Sequence, residues 1–148
     1  MKECSFLNFS ICPDEASMSE ARRRISHWAV LIGITETEIY DVLLAFGEVV
    51  TNAVQHGNYN SSEEAIFIEC VQDQGDLSIT VRSGGAFNLS ENLACRLTDI
   101  DCFQDHGRGF AIMQAIMDRV ETWTENNRTI VCLYKNINVA SESIFVNV

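Results

Sequence analysis

The sequence predicts an α+β fold, a two-layer sandwich of three helices on a largely antiparallel sheet. Two pairs of short strand-like runs, 65–72 with 77–81 and 119–124 with 129–134, are each joined by turn residues. Apolar residues recur at helical spacing in three places: 16–31, the segment from Thr35 to the loop at Gly57, and 110–117. No linker, repeat or low-complexity tract interrupts the 148 residues, so one domain, 1–148, is expected. The order reads β-α-α-β-β-loop-α-β-β.

Each element has a local reason. Phe6, Leu7, Phe9 and Ile11 alternate loosely through 3–12, which suits a strand, and Pro13-Asp14 breaks the pattern. Met18, Ala21, Ile25, Trp28, Ala29 and Ile32 then follow a three-to-four spacing, and Gly33 stops that helix. Thr35 with Glu38 has the form of a capping box for the central helix. Its end is marked by the polar loop Gly57-Asn58-Tyr59-Asn60-Ser61-Ser62. Asp73-Gln74-Gly75-Asp76 is hairpin chemistry, and Glu125-Asn126-Asn127 joins the last two strands. The second strand of the first pair runs into Arg82-Ser83-Gly84-Gly85-Ala86-Phe87, whose paired glycines allow tight turns. Residues 88–106 form a loop long enough to act as a lid or binding loop. The tail 136–148 turns apolar again at Ile144-Phe145-Val146, as an edge strand or a docking segment would.

The totals narrow the function classes. A formal charge of −11 repels a phosphate backbone, which argues against nucleic acid and favours a basic protein partner. Any nucleotide phosphate must then be held by local groups. No apolar run approaches the roughly 18 residues of a membrane span, and the first residues lack a signal-peptide core, so a cytoplasmic protein without membrane contact is expected. Cys4, Cys12, Cys70, Cys95, Cys102 and Cys132 contain no C-x-x-C pair, and free thiols are expected.

Glu48, Asn52 and His56 recur at a spacing of four on the central helix, which stacks them on one face about 6 Å apart. Leu43, Leu44, Phe46, Val50, Ala53 and Val54 would hold that helix against a core. The polar groups form either a wet surface stripe or the wall of a cleft. Gly107-Arg108-Gly109 opens the last helix. A G-x-G at that place is either a plain loop-to-helix turn or an anion site, where backbone amides and the helix dipole face a phosphate. Arg22, Arg23 and Arg24 make the densest basic cluster, either a solvated helix face or a patch for an acidic partner or a phosphoryl group.

Two of these stretches carry a resemblance. Glu48-Val49-Val50-Thr51-Asn52-Ala53-Val54-Gln55-His56-Gly57 looks like the N-box of the GHKL superfamily of ATP-binding proteins. In so short a chain, its E-x-x-x-N-A-x-x-H-G form resembles the anti-sigma factor serine kinases, and Gly107–Met113 is similar to that family's second glycine box. The resemblance runs over about 15–135 and implies the GHKL (Bergerat) sandwich with 88–106 as ATP lid. It implies that Asn52 holds Mg²⁺ on the nucleotide phosphates, that Glu48 takes the proton of a substrate serine, and that His56 stands at the far end of the same face. Gly107, Arg108 and Gly109 would wrap the phosphates. A sigma factor and an anti-anti-sigma (STAS-type) protein are the implied partners, with Arg22, Arg23 and Arg24 where such partners dock, and homodimers are common in the family.

One departure bears on the nucleotide. The family's first glycine box carries an aspartate that accepts from the adenine amino group; here Ser83 takes that place, Gly85 remains, and the box is one residue short. A neutral hydrogen bond is about half as strong as a charge-assisted one, so weaker adenine binding is expected. Arg96 is the lone basic residue of the lid. The leading expectation is an anti-sigma protein that transfers a phosphoryl group from ATP to a partner serine. The alternative is a non-catalytic module of the same fold that grips its partner with a weakened nucleotide site.

Overall fold

A computed structural model describes residues 4–56, 65–84 and 108–137, with backbone alone at His56 and at 108–110. The elements follow the expected order: β1 (Cys4–Ile11), α1 (Glu15–Leu31), α2 (Glu36–His56), β2 (Ile66–Asp73), β3 (Asp76–Gly84), α3 (Arg108–Ile116), β4 (Arg119–Glu125) and β5 (Arg128–Asn136). The strands form one sheet in the order β1-β2-β3-β5-β4, every pairing antiparallel. No helix among the described residues is long and apolar enough to cross a membrane.

Turn chemistry sets the hairpins. Gln74 and Gly75 have φ of 53° and 95°, and Asn126 and Asn127 of 52° and 60°. Two consecutive left-handed residues match the twist of the strands they join, and Gly and Asn reach that region at least cost. Helix starts are capped as the sequence indicates. The Asp14 carboxylate accepts from the Ser17 amide at 2.7 Å, and that bond holds its carboxyl below the usual range. At α2 the Glu38 amide donates to the Thr35 hydroxyl at 3.3 Å, while that hydroxyl donates to the Glu38 carboxylate at 2.9 Å. The reciprocal bond of this box therefore runs from side chain to side chain. Gly33, with φ of 86°, ends the α1 region.

The end of β3 differs most from expectation. β3 does not stop at Val81: Arg82, Ser83 and Gly84 pair with Ile130, Thr129 and Arg128. The turn expected over 82–87 thus does not begin before Gly84. Polar side chains hid the end of the strand, because the ladder needs only backbone groups.

The core lies between the helices and one face of the sheet. Ile66, Ile68 and Cys70 of β2, Leu77, Ile79 and Val81 of β3, and Val131 and Leu133 of β5 meet Ile25 and Trp28 of α1, Phe46, Val49 and Val50 of α2, and Met113 of α3. The Trp28 indole donates to the Ser5 hydroxyl at 3.0 Å, so the one polar atom of that ring is satisfied where α1 crosses β1. On the other face Phe6, Phe67 and Trp123 remain 61%, 43% and 41% exposed. β2 alternates in and out, whereas β5 is buried from Thr129 to Leu133, because it lies between β3 and β4.

Among the described cysteines, Cys4 and Cys12 are exposed, Cys70 and Cys132 are buried, and all are free thiols. Burial in the core, with the Glu69 charge adding to it, pushes the Cys70 thiol up to about 12. A pKa raised above the unfolded value contributes stability that is present below about pH 9 and lost as pH rises towards 12. Iodoacetamide at pH 8 should therefore label Cys4 and Cys12 in the native protein and spare Cys70. Labelling of Cys70 at the rate of Cys4 would contradict this packing.

Candidate functional site

Helix α2 serves two purposes because its faces differ. Phe46, Val49, Val50 and Ala53 are buried at 2% exposure or less, whereas Glu48 and Asn52 are half-buried. At about 100° per residue, Phe46 and Glu48 lie some 200° apart and point to opposite sides. One side anchors the helix over β3 and β5, and α3 packs along it. Glu48 and Asn52, one turn apart, share a face as the sequence implied. Among the described residues neither side chain has a hydrogen-bond or ion-pair partner. A carboxylate and a carboxamide in that state need solvent or a ligand, since an unmet buried polar group costs about 1–3 kcal/mol. The chemistry of the pair fits a hard cation, for which both supply oxygen donors. His56 is the last residue of α2, and its side chain lies outside the described residues.

Ser83 stands on the helix-facing side of β3 in line with Leu77, Ile79 and Val81, and is 2% exposed. Its hydroxyl donates to the Thr129 carbonyl at 3.2 Å. With its proton committed there, the Ser83 oxygen can only accept, which is the role expected at this place, though without charge. Thr129, its register partner on β5, is fully buried beside it. Thr129 carries no signal of its own in the sequence, because only the pairing of β3 with β5 brings it next to Ser83.

Of the glycine box, Arg108 and Gly109 are the first residues of α3, a helix start that suits either a plain loop-to-helix turn or an anion site. The Arg108 side chain, Gly107, Gly85 and the lid 88–106 lie outside the described residues.

The arginine cluster is not one patch. Arg23 pairs with Glu20 on its own helix at 2.6 Å, and the Arg24 guanidinium lies 4.4 Å from the centre of the Phe9 ring. Arg22 instead reaches across to α2, where a Cβ on Gly47 would fall 2.8 Å from its Nη1 atom. All three stay exposed, and at about 100° per residue they point in different directions around α1 and meet different neighbours.

A cavity of about 580 Å³ opens at the other end of β3, near the β2–β3 turn, lined by Asp73, Asp76, Asp118, Tyr134 and Lys135 among others. None of the sequence-predicted residues lines it. Several of its polar groups are already engaged: the Asn136 side chain donates to Asp76 at 3.2 Å and the Asn136 amide to Asp118 at 2.6 Å. The Glu48–Asn52 face remains the candidate site.

Comparison with known proteins places this geometry. The model of the histidine kinase-like ATPase domain matches residues 11–135. The anti-sigma F factor of Clostridium perfringens (strain SM101 / Type A) is 31% identical over 121 residues, 80% of this chain and 86% of that protein. The anti-sigma F factor of Geobacillus thermodenitrificans is 31% identical over 140 residues, 93% of this chain and 94% of that one. Among solved structures, the RsbU and RsbW domains of Rv1364c from Mycobacterium tuberculosis match with a TM-score of 0.69 at 18% identity, over 90% of this chain and 32% of that chain. The SiaB–SiaC complex from Pseudomonas aeruginosa matches with a TM-score of 0.61 at 12% identity, over 87% and 88%. At such identities the two structures speak for the fold.

Proposed function

We propose, from the premise that this chain belongs to the histidine kinase-like ATPase domain family and to its anti-sigma factor members, that it is an anti-sigma factor that binds ATP–Mg²⁺ and phosphorylates a serine of an anti-anti-sigma protein. The observation that carries this reading is the half-buried Glu48–Asn52 pair, on one face of α2 and without a described partner. When bound, the metal would supply charge neutralisation on the phosphates. Asn52 would hold it through its carboxamide oxygen, Glu48 would take the proton of the partner's serine, and the start of α3 would meet phosphate oxygens with its amides. Ser83 would accept from the adenine amino group.

Ser83 favours a second reading, in which the chain grips a sigma factor or partner protein with a weak nucleotide site. A thermal melt with and without ATP–Mg²⁺ separates the two. A ligand at about 100 times its Kd stabilises by ~2.7 kcal/mol, which raises the Tm of a domain this size by roughly 5–10 °C. No shift at millimolar ATP would sink the kinase reading. In the Ser83→Asp variant the nucleotide shift should grow while the Tm without nucleotide falls, because a carboxylate there is buried beside the Thr129 carbonyl.

A further inference from the structure

We infer that residues 138–148 fold back over the cavity beside the β2–β3 turn, with Ile144-Phe145-Val146 packed on Phe6, Val71 and Tyr134. The occupant is the segment of this chain that follows the last described residue, and the surface is the sheet face away from the helices.

The floor of that cavity belongs to a row of side chains that crosses the sheet. Register puts Phe6 opposite Val71, Val71 opposite Ser78, Ser78 opposite Tyr134, and Tyr134 opposite Arg119. These residues alternate with Cys70, Leu77 and Leu133 of the core, so they point away from it. Phe6 is 61% exposed, and the Arg119 guanidinium lies 4.0 Å from the centre of the Tyr134 ring. Val71, Ser78, Tyr134 and Arg119 line the cavity of about 580 Å³, within the range of pockets that enclose an apolar group.

Chain geometry selects the occupant. Ile137 is buried and its amide donates to the Gly75 carbonyl at 2.7 Å, so the segment leaves from the cavity's own edge, next to the lining residue Asn136. From there Ile144 is seven residues on, a reach of up to about 25 Å. β5 and β1 are three strand spacings apart, about 14 Å. The segment is therefore long enough to carry its apolar run to Phe6. Segments 57–64 and 85–107 join the sheet at its opposite end, before Ile66 and after Gly84. Residues 1–3 start beside the cavity but bring one apolar side chain, Met1. Residues 138–148 bring three consecutive large ones and a single charged side chain, Glu142, so laying them on an apolar floor costs little desolvation.

The test is nuclear Overhauser spectroscopy on the full chain labelled with ¹³C and ¹⁵N. Contacts should appear between the Phe145 ring and the Val71 methyls, and between the Ile144 or Val146 methyls and the Phe6 and Tyr134 rings. In a mixture of labelled and unlabelled chains, filtered for contacts between chains, they should be absent. F145A should lower the Tm by about 3–6 °C. Combined with V71A it should lower it by less than the sum of the two, because the two side chains share a contact. F67A, at the other end of β2, should add to F145A in full. A spectrum without contacts from 144–146 to this row overturns the inference, as does full additivity of F145A and V71A. Contacts found between chains give the face to a second copy and overturn it as well.

Discussion

Glu48→Gln should lower phosphoryl transfer to the partner serine by about 10²–10⁴-fold, the usual contribution of a positioned general base. The amide keeps the size and shape of the carboxylate but cannot take the serine proton. The side chain is half-buried, and among the described residues the substitution breaks no hydrogen bond or ion pair. The variant should therefore keep the wild-type Tm and the thermal shift with ATP–Mg²⁺, and lose the rate alone. Asn52→Ala is the complement: the Mg²⁺ dependence of the nucleotide shift should vanish. Transfer of ³²P from labelled ATP to the purified partner reads the first effect. A Glu48→Gln rate within about threefold of wild type would remove Glu48 from the chemistry. A wild type that shifts with ATP–Mg²⁺ but transfers nothing would leave the sequestering reading in its place.

Phe46→Ala should destabilise the protein by about 3–5 kcal/mol, the cost of a large cavity in a core that cannot collapse to fill it. Phe46 is fully buried and belongs to the core cluster between α1, α2 and the sheet. That loss is a large share of the 5–15 kcal/mol by which domains are usually stable. It should appear as a much lower urea midpoint with a similar slope. Phe46 and Glu48 lie two positions apart in sequence and on opposite sides of the helix. The expected results differ in kind, stability against rate. A Phe46→Ala protein as stable as wild type would mean that α2 is not held as described.

Sequence alone determined the elements whose signal is local. The capping residues Asp14 and Thr35, the left-handed turn pairs Gln74-Gly75 and Asn126-Asn127, and the apolar spacing of α1 and α2 all act within a few residues, so they were legible before any contact was known. The same holds for Glu48 and Asn52, because helical spacing by itself puts them on one face. Tertiary structure decided what depends on neighbours far along the chain. The last residues of β3 form strand because Arg128, Thr129 and Ile130 lie across from them, although Arg82-Ser83-Gly84 reads as a turn. Ser83 is left as an acceptor because its hydroxyl donates its hydrogen bond to the Thr129 carbonyl, on another strand. Arg22 and Arg24 are alike in sequence and differ in neighbour, since one faces a glycine on α2 and the other lies over the Phe9 ring of β1. Local backbone preference and periodicity act over a few residues and can be read directly; ladder pairing and side-chain partners are set by packing, which the order of residues does not display.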